Sequence, residues 1–222
     1  EGFGLATSYT DISPIVNVVK SGLLDEIIGM DALAPELVYE KLFGFTSSRI
    51  ASENGWGKEA LIRISSAVDI ACWDILGHVG NLPLYKIFGG YNDKVPCYVT
   101  CAYYREGKDN SELREEIQML VEQGHKGFKG KVGGLSLSED IARMEIVRDV
   151  IGEENNLMVD VNRAWDLKTA IEGAKALEAL QPTWLEEPVR WTDDRRELKL
   201  LSQRTNIPCL LYTSPSPRDG RI

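Results

Sequence analysis

The sequence predicts an α/β fold: a partial (β/α) barrel of TIM type, comprising its first four βα units and the start of strand five, preceded by an incomplete α+β domain. Three observations lead there. Short apolar runs close in Phe128-Lys129-Gly130-Lys131-Val132, Met158-Val159-Asp160-Val161-Asn162 and Trp184-Leu185-Glu186-Glu187-Pro188. Lys131 and Asp160 are 29 residues apart and Asp160 and Glu186 are 26 apart, room for one strand and one crossover helix. The stretches between the motifs have helical period and lack hairpin signals, and such alternation builds a parallel sheet. In a (β/α) barrel the carboxyl ends of the strands share one face, where the chemistry sits, so three polar motifs at successive strand ends favour a barrel over an open sheet.

In chain order, Gly2-Phe3-Gly4-Leu5 reads as the tail of a strand. Short helices follow around Ile15–Val19, Leu23–Ile28 and Pro35–Leu42, and the small, polar stretch Thr46–Gly57 reads as a mobile loop. From Lys58, the apolar positions Leu61, Ile64, Ala67/Val68, Ala71/Cys72 and Ile75 predict a long helix stopped by Gly77 and Gly80. Gly89-Gly90 marks a boundary. After it, Val95–Ala102 is strand-like, and Ser111–Glu122 is helical, with Ser111 as N-cap and Gly124 as stop. Ser138 caps the helix after the lysine strand. Ala170, Ile171, Ala174 and Leu177 mark the helix after the Asp160 strand, and Leu198 and Leu201 the helix after Glu186. A fifth strand starts at Asn206-Ile207-Pro208.

Composition excludes several functions. A net charge of -9 offers no basic surplus to replace the counterions of a nucleic acid. No apolar stretch approaches a bilayer span, and residues 1–20 lack a secretory pattern, so no membrane partner is expected. The four cysteines lack metal spacing; Cys97-x-x-x-Cys101 suits buried thiols better than a redox pair, and a reducing, cytoplasmic setting is expected.

The chemistry rests on the strand motifs. Side chains two apart on a strand share a face, so Lys129 and Lys131 point the same way. Repulsion between two ammonium groups, together with burial, lowers an amine pKa and prepares a general base. Carboxylates within strands are costly to bury without a cation or donors, and Asp160 and Glu186 are hard oxygen ligands suited to Mg2+. His78 and His125 are read as structural or solvated.

These motifs, with Ala67-Val68-Asp69-Ile70-Ala71-Cys72-Trp73-Asp74 and the stretch from Leu82-Pro83-Leu84-Tyr85 to Gly89-Gly90, resemble the mandelate racemase/muconate lactonizing enzyme group of the enolase superfamily over residues 1–208. The resemblance implies a capping domain at 1–90 and the first half of a barrel at 91–208. It implies Lys131 as the base that removes the proton α to a carboxylate, with Lys129 lowering its pKa. It implies Asp160 and Glu186 as ligands of Mg2+, which holds the enediolate, with Asn162 and Glu187 as polar support around them. The third acidic ligand and the strand six to eight residues of that family have no counterpart in this sequence.

The segment from Cys209 to Asp219 matches, codon for codon, a transposase-type sequencing-library adapter read in frame. Residues 209–222 are therefore expected to be an artefactual tail on a truncated, inactive piece of a longer, homo-oligomeric enzyme. For that enzyme the resemblance implies Mg-dependent dehydration of a small acid sugar. The polar loop Thr46–Gly57 is read either as touching that substrate through Arg49 and Trp56 or as a plain flexible loop. The alternatives to dehydration are racemisation or epimerisation of a 2-hydroxy acid or cycloisomerisation, and outside catalysis an inert product or a binding scaffold.

Overall fold

The computed structural model describes residues 1–8 and 10–211, which fall into two compact units meeting at Val95 and Pro96. The first unit is helical: α1 (Ser13–Lys20), α2 (Pro35–Gly44), α3 (Arg49–Glu53), α4 (Lys58–Gly80) and α5 (Leu84–Ile87). Its core gathers Leu23, Leu42, Phe45, Leu61 and Ile64. No helix among the described residues is long and apolar enough to cross a membrane.

Residues 1–8 form no regular element, and Phe3 N–H donates to Asp74 Oδ2 of α4 at 2.9 Å. Gly2 and Gly4 permit that approach, since a Cβ on Gly4 would lie 1.8 Å from the Ala67 carbonyl oxygen. The regular elements in the described part of the unit are helices. The polar stretch Thr46–Gly57 is no plain loop. It carries a 3-10 turn at Phe45–Ser47 and helix α3, whose N-cap Ser48 accepts from Ala51 N–H. A capping hydroxyl satisfies the first turn of so short a helix, a signal that composition alone hides.

The second unit alternates β1 (Val99–Cys101), α6 (Asn110–Glu122), β2 (Gly127–Lys131), α7 (Leu137–Ile151), β3 (Asn156–Asp160), α8 (Leu167–Leu177), β4 (Trp184–Glu186), α9 (Asp194–Ser202) and β5 (Cys209–Leu210). All five strands are parallel, in the order β1-β2-β3-β4-β5. A doubly wound sheet reverses its order at a switch point, whereas strands laid down strictly in sequence are the wall of a barrel. Two helix caps differ from expectation by two residues each. Asp109, not Ser111, caps α6 in a capping box with Glu112, and Ser136, not Ser138, caps α7 with Glu139. In each, the chosen cap stands three residues before a glutamate that returns the hydrogen bond.

Strand pairing runs past the expected boundary at 208. Leu185 N–H donates to Pro208 O at 2.8 Å and Glu187 N–H to Leu210 O at 2.9 Å. Main-chain groups pair whatever side chains they carry, so Cys209 and Leu210 continue the sheet. The rest of the adapter-like segment, from 212, lies outside the described residues.

Strand alternation sorts the sheet into two faces. Phe128, Leu157, Val159 and Leu185 pack with Leu113, Ile117, Met144, Val147, Ala174 and Leu177 of the surrounding helices. Gly130 belongs to this face: a Cβ there would meet Met144 Sδ at 2.6 Å. The opposite face carries Lys129, Lys131, Met158, Asp160, Trp184 and Glu186.

Candidate active site

Register, more than sequence spacing, builds the site. Lys131 is the Cα partner of Asp160, and Asp160 that of Glu186, so the three stand level on adjacent strands at their carboxyl ends. Asp160 is 1% exposed and Glu186 6%, a costly position for two carboxylates unless cations answer them. The lysines do so. Lys131 Nζ donates to Asp160 Oδ2 at 2.5 Å and to Asn162 Oδ1 at 2.7 Å. Lys129 Nζ donates to Glu186 Oε2 at 2.9 Å and lies 3.6 Å from Asp160 Oδ2. Asn162 also donates its backbone N–H to Asp160 Oδ1 at 3.0 Å, fixing the carboxylate from a second side.

Burial pushes the Lys129 ammonium down, as its desolvation requires, but the hydrogen bond and charge of Glu186 and the charge of Asp160 together outweigh it. Its pKa is held above the ordinary amine value, so Lys129 stands as a charged neighbour of Lys131.

Backbone strain concentrates at the same end of the sheet. Of the six non-glycine residues with positive φ among those described, four follow strand ends: Ala102 (56°), Asn162 (47°), Arg163 (65°) and Glu187 (45°). Such conformations persist where surrounding contacts over-determine them, and they cluster at functional sites. Glu187, 3% exposed, accepts Arg163 N–H on its carbonyl at 2.8 Å, and its carboxylate lies 3.5 Å from Arg163 Nη1.

A family model described as Enolase C-terminal domain-like matches residues 112–214. Arabinonate dehydratase of Saccharolobus solfataricus is 31% identical over 218 residues, 98% of this chain and 56% of that protein. L-Ala-D/L-Glu epimerase of Clostridium acetobutylicum is 31% identical over 99% of this chain and 58% of its own length. The crystal structure of L-talarate/galactarate dehydratase from Salmonella typhimurium LT2 superposes with a TM-score of 0.79 at 29% identity, covering 96% of this chain and 52% of that one. The chain is similar along nearly its whole length to enolase-superfamily enzymes. A mutant of L-talarate/galactarate dehydratase liganded with Mg and L-glucarate matches the chain with a TM-score of 0.80, again at 29% identity and over 96% and 52% of the two chains. The chain spans about half the length of the relatives it matches.

In the structure the predicted residues divide. Lys129, Lys131, Asp160, Asn162 and Glu186 form one cluster joined by hydrogen bonds and ion pairs, and Glu187 stands beside it on β4's outgoing loop. Asp160 and Glu186 are adjacent hard oxygen donors of the kind a small dication takes, although among the described residues no third His, Cys, Asp or Glu completes a three-residue set. Trp56, expected in a substrate loop, is 8% exposed in the first unit's core, edge-on to Phe45, with Nε1 donating to Ser21 Oγ at 2.6 Å. Arg49 is spent on an exposed i,i+4 pair with Glu53.

Sequence reasoning missed Arg163, whose guanidinium lies over the Trp191 ring at 3.9 Å. It also missed Tyr98 and Tyr103, over whose rings Lys129 and Lys131 place their ammonium groups at 5.1 and 5.9 Å. Their shared signal is position: each lies within three residues of a strand end, on the side of the sheet where the cluster sits.

Proposed function

We propose that the protein removes the proton α to the carboxylate of a small acid sugar and eliminates the β-hydroxyl, as a Mg2+-dependent dehydratase. The observation that carries this reading is the level row Lys131–Asp160–Glu186 on three adjacent parallel strands. Lys131, as its free amine, takes the α-proton on Nζ; the electron pair left behind delocalises into the carboxylate, then expels the β-hydroxyl, which leaves as water once protonated. The resulting enol tautomerises to a 2-keto acid. Asn162 aims Lys131 through its Oδ1, and charged Lys129 balances the carboxylates beneath it. Glu187, held by Arg163, keeps the β4 exit in its strained shape. Asp160 and Glu186 would hold Mg2+, which when bound offsets the charge developing on the substrate carboxylate.

Dehydration is favoured by the arabinonate dehydratase match along nearly the whole chain and by the dehydratase structure holding Mg and L-glucarate. The L-Ala-D/L-Glu epimerase match over 99% of the chain supports a second reading, in which the proton is returned and nothing is eliminated. A version of the chain continued to its relatives' length, given Mg2+ and a panel of acid sugars, separates them. Formation of 2-keto acid supports dehydration, and α-proton exchange without keto acid supports racemisation. A folded protein that does neither, yet retains ligand, would be a binding scaffold, and the catalytic reading would fall.

A further inference from the structure

Behind the lysine row, α7 carries two buried charged residues one turn apart, Asp140 at 0% and Arg143 at 6% exposure, and neither touches the cluster. We propose that Asp140 is a positioning residue for the reaction above: its carboxylate ties the loop that leaves β2 directly after Lys131 to the loop that leaves β1. The inference rests on the assignment of Lys131 as the base.

The contacts are specific. Asp140 Oδ2 accepts Gly133 N–H at 2.7 Å and Leu135 N–H at 3.4 Å, while Oδ1 accepts the Tyr104 hydroxyl. The same hydroxyl accepts Gly134 N–H at 3.0 Å, so the β1 exit and the β2 exit share one phenol oxygen. Arg143 donates to the Ala102 carbonyl at 2.6 Å and lies 4.5 Å over the Tyr104 ring. Ala102, the left-handed residue ending β1, is gripped on its N–H by Glu116 at 3.0 Å, and Lys108 pairs with Glu116 and donates to Tyr103 O. Burial and the hydrogen bond to Asp140 push the Tyr104 phenol well above its usual range, which keeps the proton where this bridge needs it.

The loop has no slack. A Cβ on Gly134 would lie 2.6 Å from the Tyr104 ring, and one on Gly133, which has φ 97°, would lie 2.5 Å from Ala164 Cβ in the loop after β3. Three successive strand exits thus interlock around Asp140. Stability alone does not call for such a network, because buried charged groups are commonly replaceable by packed apolar ones without loss. What apolar packing would not supply is the directional fixing of three loops at the end of the sheet where Lys131 stands, and small misplacements there are expensive for a reacting geometry.

The test uses Tyr104→Phe, which deletes the shared oxygen and keeps the ring, Asp140→Ala, and Asp140→Asn, which keeps an acceptor. Val147→Ala, a buried cavity on the same helix, serves as the stability control. In the chain itself, hydrogen exchange at the amides of 133–135 should quicken about tenfold or more in Tyr104→Phe and Asp140→Ala, and less in Asp140→Asn. In the version continued to the relatives' length, kcat should fall at least about tenfold with KM little changed, while Val147→Ala lowers the melting temperature and leaves kcat near wild type. Unchanged amide protection in Tyr104→Phe would overturn the proposal, as would a kcat loss no larger than that of Val147→Ala at equal loss of melting temperature. If Lys131 is not the base, Lys131→Met retains α-proton exchange, an outcome independent of the amide result.

Discussion

Lys131 and Asp160 face each other across β2 and β3 as Cα partners, and the lysine Nζ lies 2.5 Å from the aspartate Oδ2. A cation and an anion are thereby held side by side on a buried face, and Glu186 adds a second anion one strand further. The pairing makes the cluster interdependent, so single substitutions should be costlier than double ones.

The first expected outcome follows from that interdependence. Glu186→Gln leaves Lys129 without its nearest partner in a site where both are nearly buried. Breaking a buried pair on one side costs about 3 kcal/mol, whereas removing both charges costs much less. Urea unfolding of the chain in the presence of a chelator should show Glu186→Gln destabilised by that amount and the double variant Lys129→Met with Glu186→Gln recovering most of it. Equal losses in the single and double variants would mean the pair does not couple.

The second concerns Trp56. Its indole fills the helical core and reaches Ser21, so Trp56→Ala should cost about 3 kcal/mol or more, as large-to-small aromatic truncations do. Thermal unfolding measures it. A variant as stable as wild type, with weakened substrate binding, would return Trp56 to the substrate-contacting role that the sequence suggested.

The third separates two cysteines that sequence placed together. Cys97 is exposed because β1 begins only at Val99, while Cys101 is 1% exposed and its thiol is pushed up to about 12, first by burial and then by the Glu116 charge. At pH 8 an alkylating reagent should modify Cys97 readily and Cys101 only under denaturant, read by peptide mass spectrometry. The sign of the linkage follows: a folded-state pKa above 9.0 contributes stability below pH 9 that is lost as pH climbs towards 12. Rapid labelling of Cys101 in the folded chain would contradict the burial of β1.

Much of this architecture was legible in the sequence because it depends on periodicity. The strands ending in Lys131, Asp160 and Glu186 announce themselves by apolar runs at βα spacing, and strand alternation puts both lysines on one face. The parts that were not legible depend on contacts between distant residues. Nothing local in Thr46–Gly57 reveals that Ser48 caps a helix or that Trp56 turns inward to Ser21. The segment Gly2–Leu5 reads as a strand tail, and only the close approach of Gly4 to Ala67 shows that it runs against α4. Sequence displays the neighbouring ammonium of Lys131 but not the Glu186 carboxylate that register brings to Lys129 from 57 residues away. Arg163, Tyr98 and Tyr103 escaped notice for the same reason: aromatic and cationic neighbours declare themselves only once strand ends are aligned.

The central claim is that Lys131 removes the substrate α-proton beside two metal-binding carboxylates. It is tested most directly by following α-proton exchange of an acid-sugar substrate in D2O by NMR, in the version continued to the relatives' length. Lys131→Met should abolish exchange while Mg2+ binding, measured by calorimetry, is retained, because Asp160 and Glu186 remain. Exchange that persists at the wild-type rate in Lys131→Met, with Mg2+ still bound, would show that the base lies elsewhere.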